Sequence, residues 1–121
     1  MSSPASGSSA AASAPIGVAT VPDRVVMNNT ADVRRDLMEA LGAHGGGLIV
    51  DLSGTTFMDS SGLSVLVSTY NSATEQGIPF VLTTPQAPIR ALLNLTRLNE
   101  LFTIYLGVDE ARAALEAERD G

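Results

Sequence analysis

The chain has 121 residues and a formal charge of −6, from seven basic and thirteen acidic residues, and every basic residue is Arg. The absence of Lys excludes a phosphate-loop lysine, a Schiff base and a Ser-Lys dyad, and the absence of Cys excludes disulfides, thiolate metal sites and a thiol nucleophile. One His cannot build a multi-histidine metal centre, and the acidic balance argues against a grip on nucleic acid or an anionic membrane, so the expected partner is a protein or a small molecule, with no metal and no cofactor.

Residues 1–15 hold six Ser, five Ala and two Pro. Such a stretch buries too little apolar surface to offset its chain entropy and reads as a disordered tail. It has neither the basic start nor the strongly apolar centre of a secretory signal. No apolar run approaches the ~20 residues that span a bilayer, so a cytoplasmic location is expected. Residues 16–118 read as one domain, and 119–121 as its C-terminal end. A domain of roughly 100 residues buries around 65% of its unfolded surface, enough for a core without staples.

Two short β-type runs, 16–21 and 24–27, flank the turn signal Pro22-Asp23 and are expected to pair antiparallel. Asn29 or Thr30 caps a helix to about Ala43, with Val33, Leu37, Ala40 and Leu41 as its apolar stripe. Gly42 and the run Gly45-Gly46-Gly47 stop it. Residues 48–52 (LIVDL) are nearly all apolar, as for a strand covered on both faces. A polar loop at 53–58 leads to a second helix that starts near Asp59-Ser60-Ser61-Gly62 and reaches about Glu75, with Leu63, Leu66, Val67, Tyr70 and Ala73 inward. Residues 80–83 form an apolar strand, and Pro88 opens a third helix. Residues 103–106 form a last strand, and a final helix starts near Val108 or Asp109. Strands alternating with helices imply parallel crossovers in an α/β fold. With the N-terminal pair antiparallel, the sheet is expected to be small and mixed, with about four helices around it.

The informative segment is 50–67, VDLSGTTFMDSSGLSVLV. It places Asp59, Ser60 and Ser61 where a strand end turns into a helix, and functional groups of α/β folds gather at such ends. Any of the three can simply cap the helix, and Gly62 lets backbone approach closely. The helix face opposite the apolar stripe carries Ser61, Ser64, Ser68 and Ser72, and no charge falls between Ser60 and Ala73. Solvent-facing helix surfaces usually carry better helix formers than Ser, so this small neutral face reads as an interface.

The run FMDSSGLSVL at 57–66, preceded by VDLSG at 50–54, resembles the anti-sigma-factor antagonists of bacteria, a branch of the STAS domain family. Phe80-Val81-Leu82, Pro85, Ile89-Arg90, Leu92-Leu93 and residues 98–102 (LNELF) continue the resemblance over about 16–118. It implies a single STAS-like domain that is not an enzyme and that carries its regulatory phosphorylation on Ser60. Its implied partners are an anti-sigma factor, itself an ATP-dependent serine kinase, and a PP2C-type phosphatase. The unphosphorylated protein would hold the anti-sigma factor and free the sigma factor, and phosphorylation would end the complex. Asp59, Ser61, Gly62, Ser64 and Ser68 are the expected partner-binding residues, with Asp59 either orienting the Ser60 hydroxyl, meeting the kinase, or capping the helix. The alternative is a constitutive STAS scaffold or small-ligand sensor without phosphorylation.

The sequence also departs from that family. Val26 stands where members usually carry an aspartate, Arg97 replaces a glycine in Thr96-Arg97-Leu98, and the usual first strand would fall within the Ser/Ala-rich tail. Other features read as structural. His44 has no second ligand nearby and belongs to a loop. The triple glycine precedes a strand and stops a helix instead of cradling phosphate. Asp51 bonds the loop beside it, and no G-x-S-x-G surrounds Ser60.

Overall fold

A computed structural model of the chain describes residues 14–120, with side chains as far as 118. The expected disordered tail, and any first strand within it, lie outside the described residues except for Ala14 and Pro15. The elements are β1 (Ile16–Thr20), β2 (Arg24–Val25), α1 (Thr30–Ala43), β3 (Gly47–Asp51), β4 (Phe57–Met58), α2 (Ser60–Gln76), β5 (Phe80–Thr83), α3 (Ala87–Leu95), a 3-10 turn at Leu98–Glu100, β6 (Ile104–Tyr105) and α4 (Val108–Asp120). The last helix therefore runs two residues past the boundary drawn at 118.

The sheet order is β1-β3-β5-β6, and each neighbouring pair is parallel. Ile49 lies opposite Val18 on one side and Val81 on the other. Parallel strands need crossovers, and α1, α2 and α3 supply them. The crossover helices cover one face of the sheet, and the C-terminal helix α4 covers the other. Leu48, Val50 and Leu82 point into a core shared with Leu37 and Leu41 of α1, Val65 and Leu66 of α2, and Ile89 and Leu93 of α3. Ile49 and Val81 point the other way, onto Ala111 and Leu115 of α4. Leu48, Ile49 and Val50 are each fully buried, which at about 1.5–3 kcal/mol per large apolar side chain makes β3 the centre of the fold. The nearly continuous apolar run read at 48–52 has this cause.

The antiparallel hairpin expected from the N-terminal runs does not form. After Val21 the chain leaves the main sheet, and β2 pairs instead with β4, parallel, with Arg24 opposite Phe57 and Val25 opposite Met58. Val25 and Met58 are buried in the main core, so this two-stranded ribbon is held by packing as well as by its ladder. Every strand pair among the described residues is parallel, and the antiparallel component expected of the sheet is not found among them. The turn signal at Pro22-Asp23 was real, but it redirects the chain to the loop before α2: Asp23 O accepts from the N–H groups of Thr56, at 2.7 Å, and Phe57, at 3.2 Å.

Asn29 occupies the N-cap of α1 without a side-chain cap bond. Its carboxamide instead closes the β2–α1 loop, accepting from Val26 N–H at 2.9 Å and donating to Arg24 O at 2.8 Å. His44 ends α1, its Nδ1 2.7 Å from Ala40 O. Its ring fills the space where a side chain on Gly17 would sit, so the histidine is structural.

Arg97 has φ 65°, in the left-handed region that favours glycine. An L-residue there costs about 1–2 kcal/mol. Its ion pair with Glu100, at 3.1 Å and with the two side chains 78% and 62% exposed, recovers little of that. Glycine would relieve the strain but lose more chain entropy on folding, by about 0.5–1 kcal/mol. Arg97→Gly is therefore expected to raise the midpoint of thermal unfolding by roughly 2–4 °C. A calorimetric scan showing a fall would mean that the Glu100 pair outweighs the backbone strain.

Candidate functional site

The 53–58 loop ends in β4, and its two residues aim the chain at the start of α2. Met58 points into the core, whereas Phe57 is 43% exposed, as strand alternation requires. Asp59 follows with extended backbone, φ −95° and ψ −174°, and is the N-cap of α2. Its N–H is bonded to Val25 O at 3.1 Å, so the ribbon ladder continues up to the cap.

The Asp59 carboxylate collects four donors. Oδ1 accepts from Ser61 N–H at 2.9 Å, Ser61 Oγ at 2.5 Å and Gly62 N–H at 3.2 Å. Oδ2 accepts from Met27 N–H at 3.2 Å, from a residue 32 positions earlier in the loop between β2 and α1. Asp59 thus caps the helix, one of the roles open to it. The hydroxyl it orients is that of Ser61, not Ser60. The hydrogen bond from Ser61 holds the Asp59 carboxyl below the usual aspartate range, against a smaller opposing effect of desolvation, and the N–H groups of Gly62, Met27 and Ser61 add to the lowering.

Ser60 is the first residue of α2, and it is exposed. Its hydroxyl has no hydrogen-bond partner among the described residues, and its carbonyl accepts from Ser64 Oγ at 3.1 Å. The two neighbouring serines thus differ sharply: one hydroxyl is engaged and half-buried, the other free. Ser64 is exposed, while Ser68 is half-buried and bonds back to Val65 O at 3.2 Å. The outward face of α2 carries Ser60, Ser64, Asn71 and Thr74, all exposed, and meets its first charge at Glu75.

Gly62, placed by sequence at the partner surface, is buried. A Cβ there would collide with Met58 and press on Val25 Cγ1. The close approach read from the glycine is therefore intramolecular, of α2 onto the ribbon. The sequence reading missed two residues of this region. Met27 is 78% exposed and tied to Asp59, and Arg24 lies over the exposed Phe57 ring at 4.6 Å from its centroid, a cation–π contact. Neither has a local signature, because both depend on the parallel β2–β4 pairing. Val26, at the family's aspartate position, gives its N–H to Asn29, and it is Met27 that meets Asp59. Asp51 bonds its loop as expected, Oδ1 accepting from Ser53 N–H at 2.9 Å.

Among the described residues no group of His, Cys, Asp or Glu is placed to hold a metal ion, and no helix is long and apolar enough to cross a membrane. A family model described as the STAS domain matches residues 10–111. The chain belongs to the STAS domain family. Among solved structures it is similar to an anti-sigma factor antagonist from Mycobacterium paratuberculosis, with 25% identity, 81% of this chain and 83% of that one covered, and a TM-score of 0.72. It is also similar to a putative anti-sigma factor antagonist from Thermotoga maritima, at 24% identity, 81% and 86% coverage and a TM-score of 0.72. The fold recurs inside a larger protein, the murine anion transporter Slc26a9, at 19% identity and a TM-score of 0.72, covering 86% of this chain and 18% of the transporter.

The lowered Asp59 pKa carries a pH dependence. The folded value lies below the unfolded one, so the stabilisation is complete above the unfolded pKa and is lost as pH falls through the folded value. Asn at this position keeps a capping oxygen but no charge. Wild type is expected to unfold at a higher temperature than Asp59→Asn at neutral pH, with the difference shrinking as pH drops below the ordinary aspartate range. Thermal unfolding of both proteins across pH checks this; a difference independent of pH would show that the charge contributes nothing.

Proposed function

We propose that this protein is an anti-sigma-factor antagonist, switched by phosphorylation of Ser60. The observation that carries this reading is the free, exposed hydroxyl of Ser60 at the first position of a helix whose outward face is small and uncharged up to Glu75. In the unphosphorylated state that face, with Ser60, Ser64 and the half-buried Ser61 and Ser68, docks on an anti-sigma factor and frees the sigma factor. The flanking Met27 and Phe57 add exposed apolar area to the same surface. The antagonist acts in the cytoplasm as a binding partner and kinase substrate, and it performs no catalysis of its own.

The anti-sigma factor is an ATP-dependent serine kinase, which transfers the γ-phosphoryl group of ATP to Ser60 Oγ, with ADP as the leaving group and the hydroxyl proton passing to a base of the kinase. The product sits at a helix N-terminus, where the dipole tolerates an anion. It adds about −1.5 to −2 charges beside Asp59. On docking, that charge would have to lose water against a neutral surface, and affinity falls by ~10²-fold or more. The fold survives and the complex does not. A PP2C-type phosphatase hydrolyses the ester and restores the binding form. Support for the class comes from family membership and from the two similar structures named as anti-sigma factor antagonists.

The test is a pull-down from the native cell with wild type, Ser60→Ala and Ser60→Asp as baits. Ser60→Ala is expected to retain an ATP-binding anti-sigma factor and Ser60→Asp to lose it. Equal capture by all three baits would overturn the switch and favour a constitutive scaffold.

A further inference from the structure

The Asp59 carboxylate is shared between two parts of the chain. Oδ1 serves the first turn of α2, through Ser61 N–H, Ser61 Oγ and Gly62 N–H. Oδ2 reaches out of the helix to Met27 N–H, a single exposed bond of 3.2 Å. Ser60 stands between the carboxylate and its helical donors in sequence. A phosphate on Ser60, the first residue of α2 and the neighbour of Asp59, stands at the same helix N-terminus, whose first-turn N–H groups attract anions. Two anions then compete for one set of donors, and the carboxylate is repelled as well.

The contacts differ in what holds them. The Ser61 and Gly62 bonds are local to the turn and are renewed by the helix itself. The Met27 bond depends on the orientation of one carboxylate and spans 32 residues. It is the contact that fails first when the carboxylate turns. Met27 is also next to the ribbon that ends at Asp59, and its side chain is 78% exposed. Its loop has a second clasp, formed by Asn29 with Val26 and Arg24 and by Thr30 Oγ1 with Met27 O. Losing the Asp59 bond therefore loosens Met27 without unravelling α1.

We infer that Asp59 is a positioning residue that latches the Met27 loop to the helix N-terminus, and that a phosphate on Ser60 opens this latch. The inference rests on the phosphorylation reading above and deepens it. The modification then acts at two places on the docking surface: it adds charge at Ser60, and it releases the exposed apolar side chain of Met27 from its fixed position. Asp59→Asn separates the latch from the cap, because its one carbonyl oxygen can serve the helix while the amide group cannot accept from Met27.

The experiment is residue-resolved amide hydrogen exchange on three full-length proteins: wild type, Asp59→Asn, and wild type with phosphoserine installed at position 60 during synthesis. Met27 N–H is expected to exchange about tenfold faster in both altered proteins than in wild type, with Val33 and Leu37 in α1 unchanged. An unchanged or slower Met27 rate in the phosphoserine protein overturns the inference, as does an unchanged rate in Asp59→Asn. Because phosphoserine is installed directly, the result stands apart from whether a kinase reaches Ser60 in the cell, which is the point at which the parent reading would fail.

Discussion

The site depends on where one carboxylate is spent. Asp59 caps α2, takes up the hydroxyl of Ser61 and holds Met27 across the chain. Had it instead bonded Ser60, the hydroxyl proposed to be modified would be engaged and its helix start poorly capped. By satisfying the first-turn donors itself, Asp59 leaves Ser60 as a free hydroxyl on an ordered helix end. The cap supplies partners to first-turn N–H groups that would otherwise lack them, which favours an ordered helix start at Ser60.

The rest of the fold serves to place that cap. β3 is fully buried on both faces at Leu48, Ile49 and Val50, which fixes the height at which the chain emerges toward the 53–58 loop. The β2–β4 ribbon then anchors the loop on the core through Val25 and Met58. Gly62 lets α2 lie directly on the ribbon. The buried side of the helix start is thereby committed to the protein's own interior, and only its outward side is left for a partner. The small, uncharged character of that outward side makes an added charge consequential.

Much of this was legible in the sequence, and the parts that were not share a cause. The helices α1, α2 and α4 and the buried strand β3 follow from local periodicity, and α2 ends at Gly77, which takes a left-handed conformation at φ 73°. Ser60 and Asp59 stood out from their place at a strand-to-helix junction and from the family resemblance. The partner of β2 could not be read, because a two-residue parallel pair is decided by packing between segments more than 30 residues apart. The same pairing brings Met27 to Asp59 and Arg24 to Phe57. Gly62 permits the close approach read from it, and what it lets near is Met58 of the chain's own ribbon. Arg97 shows the reverse case, in which the departure from the family pattern already marked a position whose left-handed backbone the structure reveals.

Taken together, the chain has the fold of its family, one free hydroxyl at a capped helix start, and a neighbouring hydroxyl that is already committed. The central claim is that Ser60, and not Ser61, receives the phosphate. The direct measurement is site-resolved phosphopeptide mass spectrometry of the protein from its native cell, before and after a growth transition. Phosphate on Ser60, changing in occupancy between the two states while Ser61 stays unmodified, is the predicted result. Phosphate on Ser61, or on neither serine in any state, would contradict it.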